Sequence, residues 1–249
     1  MENRSRAALW GSRIGILAIV LLILAIAANH LGLLGYKLPL MGIALSALIG
    51  VIAIVISLIG LVITLGGKTG AGTAILGIVL GVVAAAPVAT TLVTGRSVPR
   101  IHDITTDLSN PPQFDAVVAL REGAPNALDR ATPPDLAEQQ QKAYPDLATL
   151  IVPQEPAKVF DAALATAKDM GWTIDASSPE KGSIEATAVT KLIGFKDDVV
   201  IRIAAKDAGA AVDVRSVSRV GMSDLGTNAK RIRAYLDALK TKLATPASS

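Results

Sequence analysis

The hydrophobic pattern divides the chain in two. Unbroken apolar runs over residues 14–34, 38–65 and 71–93 fill most of the first 95 positions, and between Arg13 and Arg96 the only charges are Lys37 and Lys68. Each run is long enough as a helix, at about 1.5 Å per residue, to cross a hydrocarbon layer of about 30 Å. The turns between them, residues 35–37 and 66–70, are short and carry glycine, which predicts antiparallel neighbours. Small residues recur four apart as Gly11/Gly15, Gly42/Ser46/Gly50 and Gly77/Gly81. That spacing lets helix backbones approach closely and predicts a packed three-helix bundle or a homodimer. The plainer alternative is that Gly and Ala are common in membrane helices.

The pattern changes after residue 95. Residues 96–146 are rich in Pro, Asp, Asn and Gln, with Pro111-Pro112, Pro125 and Pro133-Pro134. Such prolines forbid long helices, and a structureless stretch this long is unusual inside a compact domain. It is expected to be either a tether or a segment wrapped over the domain that follows. From 147 to 243 the periodicity is regular. A strand over 147–152 precedes a helix opened by Pro156 and closed by Gly171, with Val159, Phe160, Ala163, Ala167 and Met170 on one face. Strands follow over 172–176, 183–189, 199–205 and 210–217. An amphipathic helix over 227–243 turns Ile232, Tyr235, Leu236, Leu239 and Leu243 inward. A disordered tail is expected over 244–249.

The order β-α-β-β-β-β-α predicts an α+β domain, an antiparallel sheet with two helices on one face, behind an α-helical bundle of three spans. Strand alternation places Trp172, Ile174, Ile184, Ala186, Val199, Ile201, Val212 and Val214 toward the helices. Glu185, Thr187, Asp198, Val200, Arg202, Asp213 and Arg215 then face away. A face mixing acids and arginines is expected to be solvated, a polar docking surface being the alternative.

Charge adds an orientation. The 249-residue chain is 51% apolar and carries +3, divided as +4 over residues 1–95 and −1 over 96–249. The sequence pI near 9.2 thus reflects membrane-flanking charges rather than a basic domain, and nucleic acid is not an expected partner. With the N-terminus inside, Arg4, Arg6, Arg13 and Lys68 are cytoplasmic, against Lys37, Arg96 and Arg100 outside. The C-terminal domain of this multi-pass protein is then expected outside the cytoplasm. The basic start, apolar run and Ala25-Ile26-Ala27 also fit a cleaved signal peptide. Cleavage leaves two spans and the same side for the domain.

Several chemistries are excluded or weakened. There is no cysteine, so disulfides, thiolate metal sites and cysteine nucleophiles are absent, and two histidines cannot build a histidine-rich zinc site. Gly67-Lys68-Thr69 lacks the phosphate-loop glycine at position 62, where Val62 stands. Asn29 and His30, at a span end, are expected among headgroups. No cofactor is implied.

The densest run of unusual residues is Gly194-Phe195-Lys196-Asp197-Asp198, then Arg215-Ser216-Val217-Ser218-Arg219-Val220-Gly221-Met222-Ser223-Asp224-Leu225-Gly226-Thr227-Asn228, then Arg231-Ile232. This combination resembles the bacterial and plastid family catalogued as domain of unknown function 1499. The resemblance covers about residues 147 to 240, and Arg100-Ile101-His102-Asp103 through Pro111-Pro112 resembles the segment that precedes it in the family. Family members are often envelope or membrane-attached, and the resemblance implies no reaction, substrate or cofactor.

The residues of this run allow three readings. Asp197 and Asp198 at one strand's entrance can pair with Arg215 and Arg219 at the exit of its neighbour, while Ser223-Asp224 caps the last helix. Alternatively Arg215, Arg219 and Arg231 near a helix N-terminus hold an anion such as a lipid phosphate or carboxylate. A third reading has Asp197, Asp198 and Asp224 bind a hard cation. The candidate binding set is therefore Asp197, Asp198, Arg215, Ser218, Arg219, Ser223, Asp224, Asn228 and Arg231. The leading expectation is a non-enzymatic module for a lipid, a small anion or an envelope-protein partner. The rival is a hydrolase built from the Asp/Ser/Arg cluster of 197–231. Its serine form needs His102 beside Ser218 or Ser223.

Overall fold

The computed structural model describes residues 3–244, so the expected tail lies, from residue 245, outside the described residues. The chain forms two compact units, one reaching from the N-terminus to Arg96 and taking in Leu192–Gly194, the other comprising the remainder.

The first unit is three helices, α1 (Arg6–His30), α2 (Lys37–Leu65) and α3 (Ala71–Thr94), each long and apolar enough to cross a membrane. The chain is a membrane protein. Helix α1 starts eight residues before its apolar run because Ser5 caps it, its Oγ accepting from Ala8 N at 3.2 Å. Arg13 therefore sits on the helix, with its guanidinium 5.6 Å from the Trp10 ring. Helix α1 ends at His30, so residues 31–34 of that run are not helical. Small residues make the helix contacts. A Cβ on Gly11 of α1 or Gly77 of α3 would lie 2.1 Å from Ser57 Oγ of α2, and one on Gly81 would lie 2.5 Å from Gly50 O. Residues 3–5 pair with the α2–α3 turn through Ser5 N to Thr69 O (3.0 Å) and Thr69 N to Asn3 O (2.9 Å), so Arg4 and Lys68 share one end of the bundle.

The second unit contains β1 (Asp103–Thr105), a 3-10 turn (Ala116–Arg121), α4 (Leu136–Ala143), β2 (Leu150–Val152), α5 (Pro156–Asp169), β3 (Thr173–Ser178), β4 (Ser183–Val189), β5 (Lys196–Lys206), β6 (Gly209–Ser218) and α6 (Thr227–Ala244). The sheet is antiparallel in the order β1-β6-β5-β4-β3, with β2 also on β6. Helices α5 and α6 close one face around Val159, Phe160, Ile201, Val214, Ile232 and Leu239, all nearly without solvent exposure. Trp172 stacks on Tyr235 at 5.2 Å, and the Tyr235 hydroxyl donates to Ala163 O at 3.0 Å. The strands and helices expected from periodicity are present, extended or trimmed at their ends. Strand β1 and helix α4 are additional, and Gln140 of α4 holds the backbone of β1 by pairing with both the N–H and the C=O of Thr105 at 3.1 and 2.6 Å.

The opposite face of the sheet is not solvated, contrary to expectation. Glu185, Thr187, Asp198, Val200, Asp213 and Arg215 are all buried. Residues 106–130 lie across them: Glu185 accepts from the N–H groups of Asp115, Ala116 and Val117 at 3.0–3.1 Å. Arg202, the partly exposed member of the set, bonds to Asp107, Asp213 and Asn110 O. The face is polar because its cover is largely backbone and charged side chain, and buried polar groups need such partners.

Candidate functional site

The β5–β6 register places Asp197 opposite Ser218 and Asp198 opposite Val217. Successive strand side chains point to opposite faces, so Asp197 lies on the helix side and Asp198 on the far side. The motif is thereby split by the sheet into two clusters.

On the helix side, Arg231 of α6 donates to Asp197 Oδ2, to Ser216 Oγ (3.0 Å) and to Asn228 Oδ1. Asn228 Nδ2 reaches Ser218 Oγ at 3.0 Å and His102 O at 2.9 Å, and Ser216 Oγ donates to Asn228 Oδ1 at 2.8 Å. Ahead of the helix, Asp224 accepts from Gly226 N (2.9 Å) and Asn228 N (2.7 Å), and Ser223 Oγ donates to Pro99 O (3.2 Å) while accepting from Leu225 N (3.2 Å). Burial pushes the Asp224 carboxyl above its ordinary range, although its two N–H bonds and Arg231 pull the other way. This cluster fastens α6 to the sheet and to residues 99–102.

On the far side, Arg219 holds Asp198 through Nε (3.1 Å) and Nη2 (2.7 Å), and also reaches Thr187 Oγ1 and Leu120 O. Arg121 donates to Asp198 Oδ2, which Arg219 Nε also reaches at 3.1 Å, and to Asn126 O. Arg215 spans both oxygens of Asp103, with Nε at 3.1 Å and Nη2 at 2.7 Å, and bonds to Pro112 O and Leu128 O. Arg215, Arg219 and Arg231 therefore do not converge on one point, and each guanidinium is already met by a carboxylate. Asp197, Asp198 and Asp224 are likewise engaged. Among the described residues no group of three His, Asp or Glu side chains is placed to hold a metal ion. Ser218 N donates to His102 O at 2.9 Å, but the His102 ring nitrogen Nδ1 is buried with no hydrogen-bond partner, so it is not bonded to a serine hydroxyl.

The family described as a protein of unknown function (DUF1499) matches residues 103–239. The chain belongs to this family. No curated protein matches it. The DUF1499 match starts at Asp103, the residue that anchors Arg215, and so takes in the preceding segment as well as the 147–240 region. Periodicity could not single out Arg121, Arg130, Gln140 or Glu185. The first three lie in the Pro-rich stretch, and Glu185 looks like an ordinary outward strand residue. The run Arg100-Ile101-His102-Asp103 was the one signal that this stretch belonged to the DUF1499 domain.

That run also lines a cleft. A cavity of about 460 Å³ in the DUF1499 domain is bordered by Arg100, His102, Asp103, Asn126, Asp129 and Arg130. Arg130 Nη1 donates to Asp103, whereas Arg130 Nη2, like His102 Nδ1, is buried without a partner. Burial holds the His102 imidazole below its ordinary pKa; the charge of Arg121 adds to this and that of Asp103 opposes it.

Proposed function

We propose that the protein is a multi-pass protein of a bacterial inner membrane that carries its DUF1499 domain on the outer side as a non-enzymatic binding module for an anionic small molecule or lipid. The observation behind this reading is the state of the motif's side chains. Its serines, carboxylates and guanidiniums hold one another, leaving neither a nucleophile paired with a base nor a free cluster of acids. In this reading the motif is the strut that holds β5, β6 and α6 in place, and binding falls to polar groups elsewhere in the domain. The outer orientation is supported by the basic N-terminal flank and by Arg4 and Lys68 sharing one end of the bundle.

The test is mass spectrometry of lipids and metabolites that co-purify with the full chain in mild detergent, beside a panel of ester and phosphoester substrates. An anionic ligand enriched over the bulk membrane extract, with no turnover, is the expected result. Ligand-free protein, or protein that hydrolyses a substrate, contradicts the reading.

A further inference from the structure

We infer that the cleft between residues 99–103 and 125–133 is an oxyanion site, taking a phosphate or phosphate-bearing group through Arg130 Nη2, His102 Nδ1 and the Arg100 guanidinium. The inference deepens the binding reading above by giving it a place and a ligand chemistry.

Four independent observations meet there. The first is polar satisfaction. Leaving a buried polar group unpaired is costly, and buried polar groups in native proteins are nearly always paired. Here two buried nitrogens without a partner, Arg130 Nη2 and His102 Nδ1, belong to residues that line one cleft. The second is backbone strain. Arg130 has φ of 59°, a left-handed conformation that a long side chain rarely adopts and that marks functional sites more often than chance.

The third is charge. Asp103 answers both Arg130 and Arg215, and Asp198 answers both Arg121 and Arg219, so four guanidiniums face two carboxylates. Arg100 adds a further cation at the rim, exposed and touching Met222 Sδ at 3.8 Å. Asp129 is the second acid of the lining beside Asp103, and its Oδ1 accepts from Ala131 N. The balance in and behind the cleft stays positive, which draws an anion. The fourth is size. A volume of about 460 Å³ lies within the small-ligand range and exceeds an inorganic phosphate, leaving room for the group that carries it. Two guanidiniums offer forked donors, the geometry suited to phosphate oxygens. A neutral His102 adds one more donor if its proton sits on Nδ1, and the ligand itself would select that tautomer.

The chain has two histidines, His30 and His102, so histidine-selective ¹⁵N labelling gives a short spectrum in which His30 is the internal control and His102→Gln assigns the other signal. The full chain is titrated with inorganic phosphate in zwitterionic detergent. In a second arm it is placed in phosphatidylcholine nanodiscs with and without phosphatidic acid. The His102 resonance is expected to move saturably while His30 stays fixed. Affinity is expected to fall about tenfold in Arg130→Gln and in Arg100→Gln, the loss of one charge-assisted contact. Arg100 is exposed, so its variant keeps the test valid if Arg130→Gln fails to fold. A shift only with phosphatidic acid identifies a lipid headgroup as the source, and one only with free phosphate a soluble ligand. A His102 signal unmoved in both arms, or unchanged affinity in both arginine variants, overturns the inference. An anion that co-purifies yet leaves His102 unmoved overturns the cleft while keeping the binding module.

Discussion

Arg215 lays its guanidinium along both carboxylate oxygens of Asp103, and each side chain retains only 1% exposure. The pair joins β6 to β1, whose register sets Thr105 beside Arg215. Removing Arg215 leaves Asp103 with Arg130 as its remaining cation and strands the carbonyls of Pro112 and Leu128, which costs about 1–3 kcal/mol. Arg215→Ala is therefore expected to lower the denaturation midpoint of the full chain in detergent by that order, and Arg215→Lys to recover little of it because an ammonium cannot supply the fork. Lysine at wild-type stability would show that the fork is dispensable.

Glu185 supplies the acceptors for three consecutive backbone N–H groups, those of Asp115, Ala116 and Val117. Glu185→Ala strands the buried Val117 N–H at about 1–3 kcal/mol and gives the partly exposed amides of Asp115 and Ala116 to water, so the cover is expected to lift locally before the sheet unfolds. Hydrogen exchange should rise at the amides of 115–117 and stay low in β5. Unchanged protection at those amides would detach the cover from Glu185.

Gly77 sits where three helices meet, its missing Cβ leaving space that Ser57 Oγ and the Gly11–Ser12 backbone fill within 2.8 Å. Gly77→Val is expected to destabilise the bundle by about 1–3 kcal/mol or more through overpacking. Gly72→Val, with nothing within 4 Å of its Cβ position, is the matched control. Equal thermal midpoints for the two variants in detergent would contradict close packing at Gly77.

Burial raises the Asp224 carboxyl in the folded state, so the folded chain keeps that proton to higher pH than the unfolded chain, whose value is about 3.9. The stability this contributes is complete below about pH 4 and is lost as pH rises through the folded value. Asp224→Asn keeps an acceptor for the helix cap but does not titrate. Its stability relative to wild type is expected to improve from about pH 4 upward, read as the difference in urea midpoints. A difference that does not vary with pH would remove Asp224 as its source. Asp224→Ala, lacking the acceptor, is expected to lose about 0.5–2 kcal/mol.

The membrane helices, the central strands and both packing helices were legible because each has a strong period or an unbroken apolar run. Strand β4 has the bounds that alternation gives. Two things were not legible, and for related reasons. The far face of the sheet mixes Glu185, Asp198, Arg202, Asp213 and Arg215, a composition that solvent or a polar cover satisfies equally well. Its cover contains prolines, short turns and single buried apolar residues such as Ile104 and Val117, none of which has a repeat. Of the pairing expected of Asp197 and Asp198 with Arg215 and Arg219, only Asp198 with Arg219 is present; Asp197 meets Arg231, and Arg215 meets Asp103. Asp197 and Asp198 are neighbours in sequence and stand on opposite sides of the sheet, so the arginines they meet are separated by it. His102, considered only as a base, borders the cleft instead.

Display of the DUF1499 domain outside the cytoplasm is what the binding reading most depends on, and the chain's lack of cysteine makes it directly measurable. Single cysteines are introduced at Glu122, exposed in the second unit, and at Lys68, exposed in the α2–α3 turn. Intact cells are then treated with a membrane-impermeant maleimide. Glu122→Cys is expected to label in intact cells and Lys68→Cys only after lysis. Labelling of Lys68→Cys in intact cells, with Glu122→Cys protected until lysis, would place the domain in the cytoplasm and contradict the account.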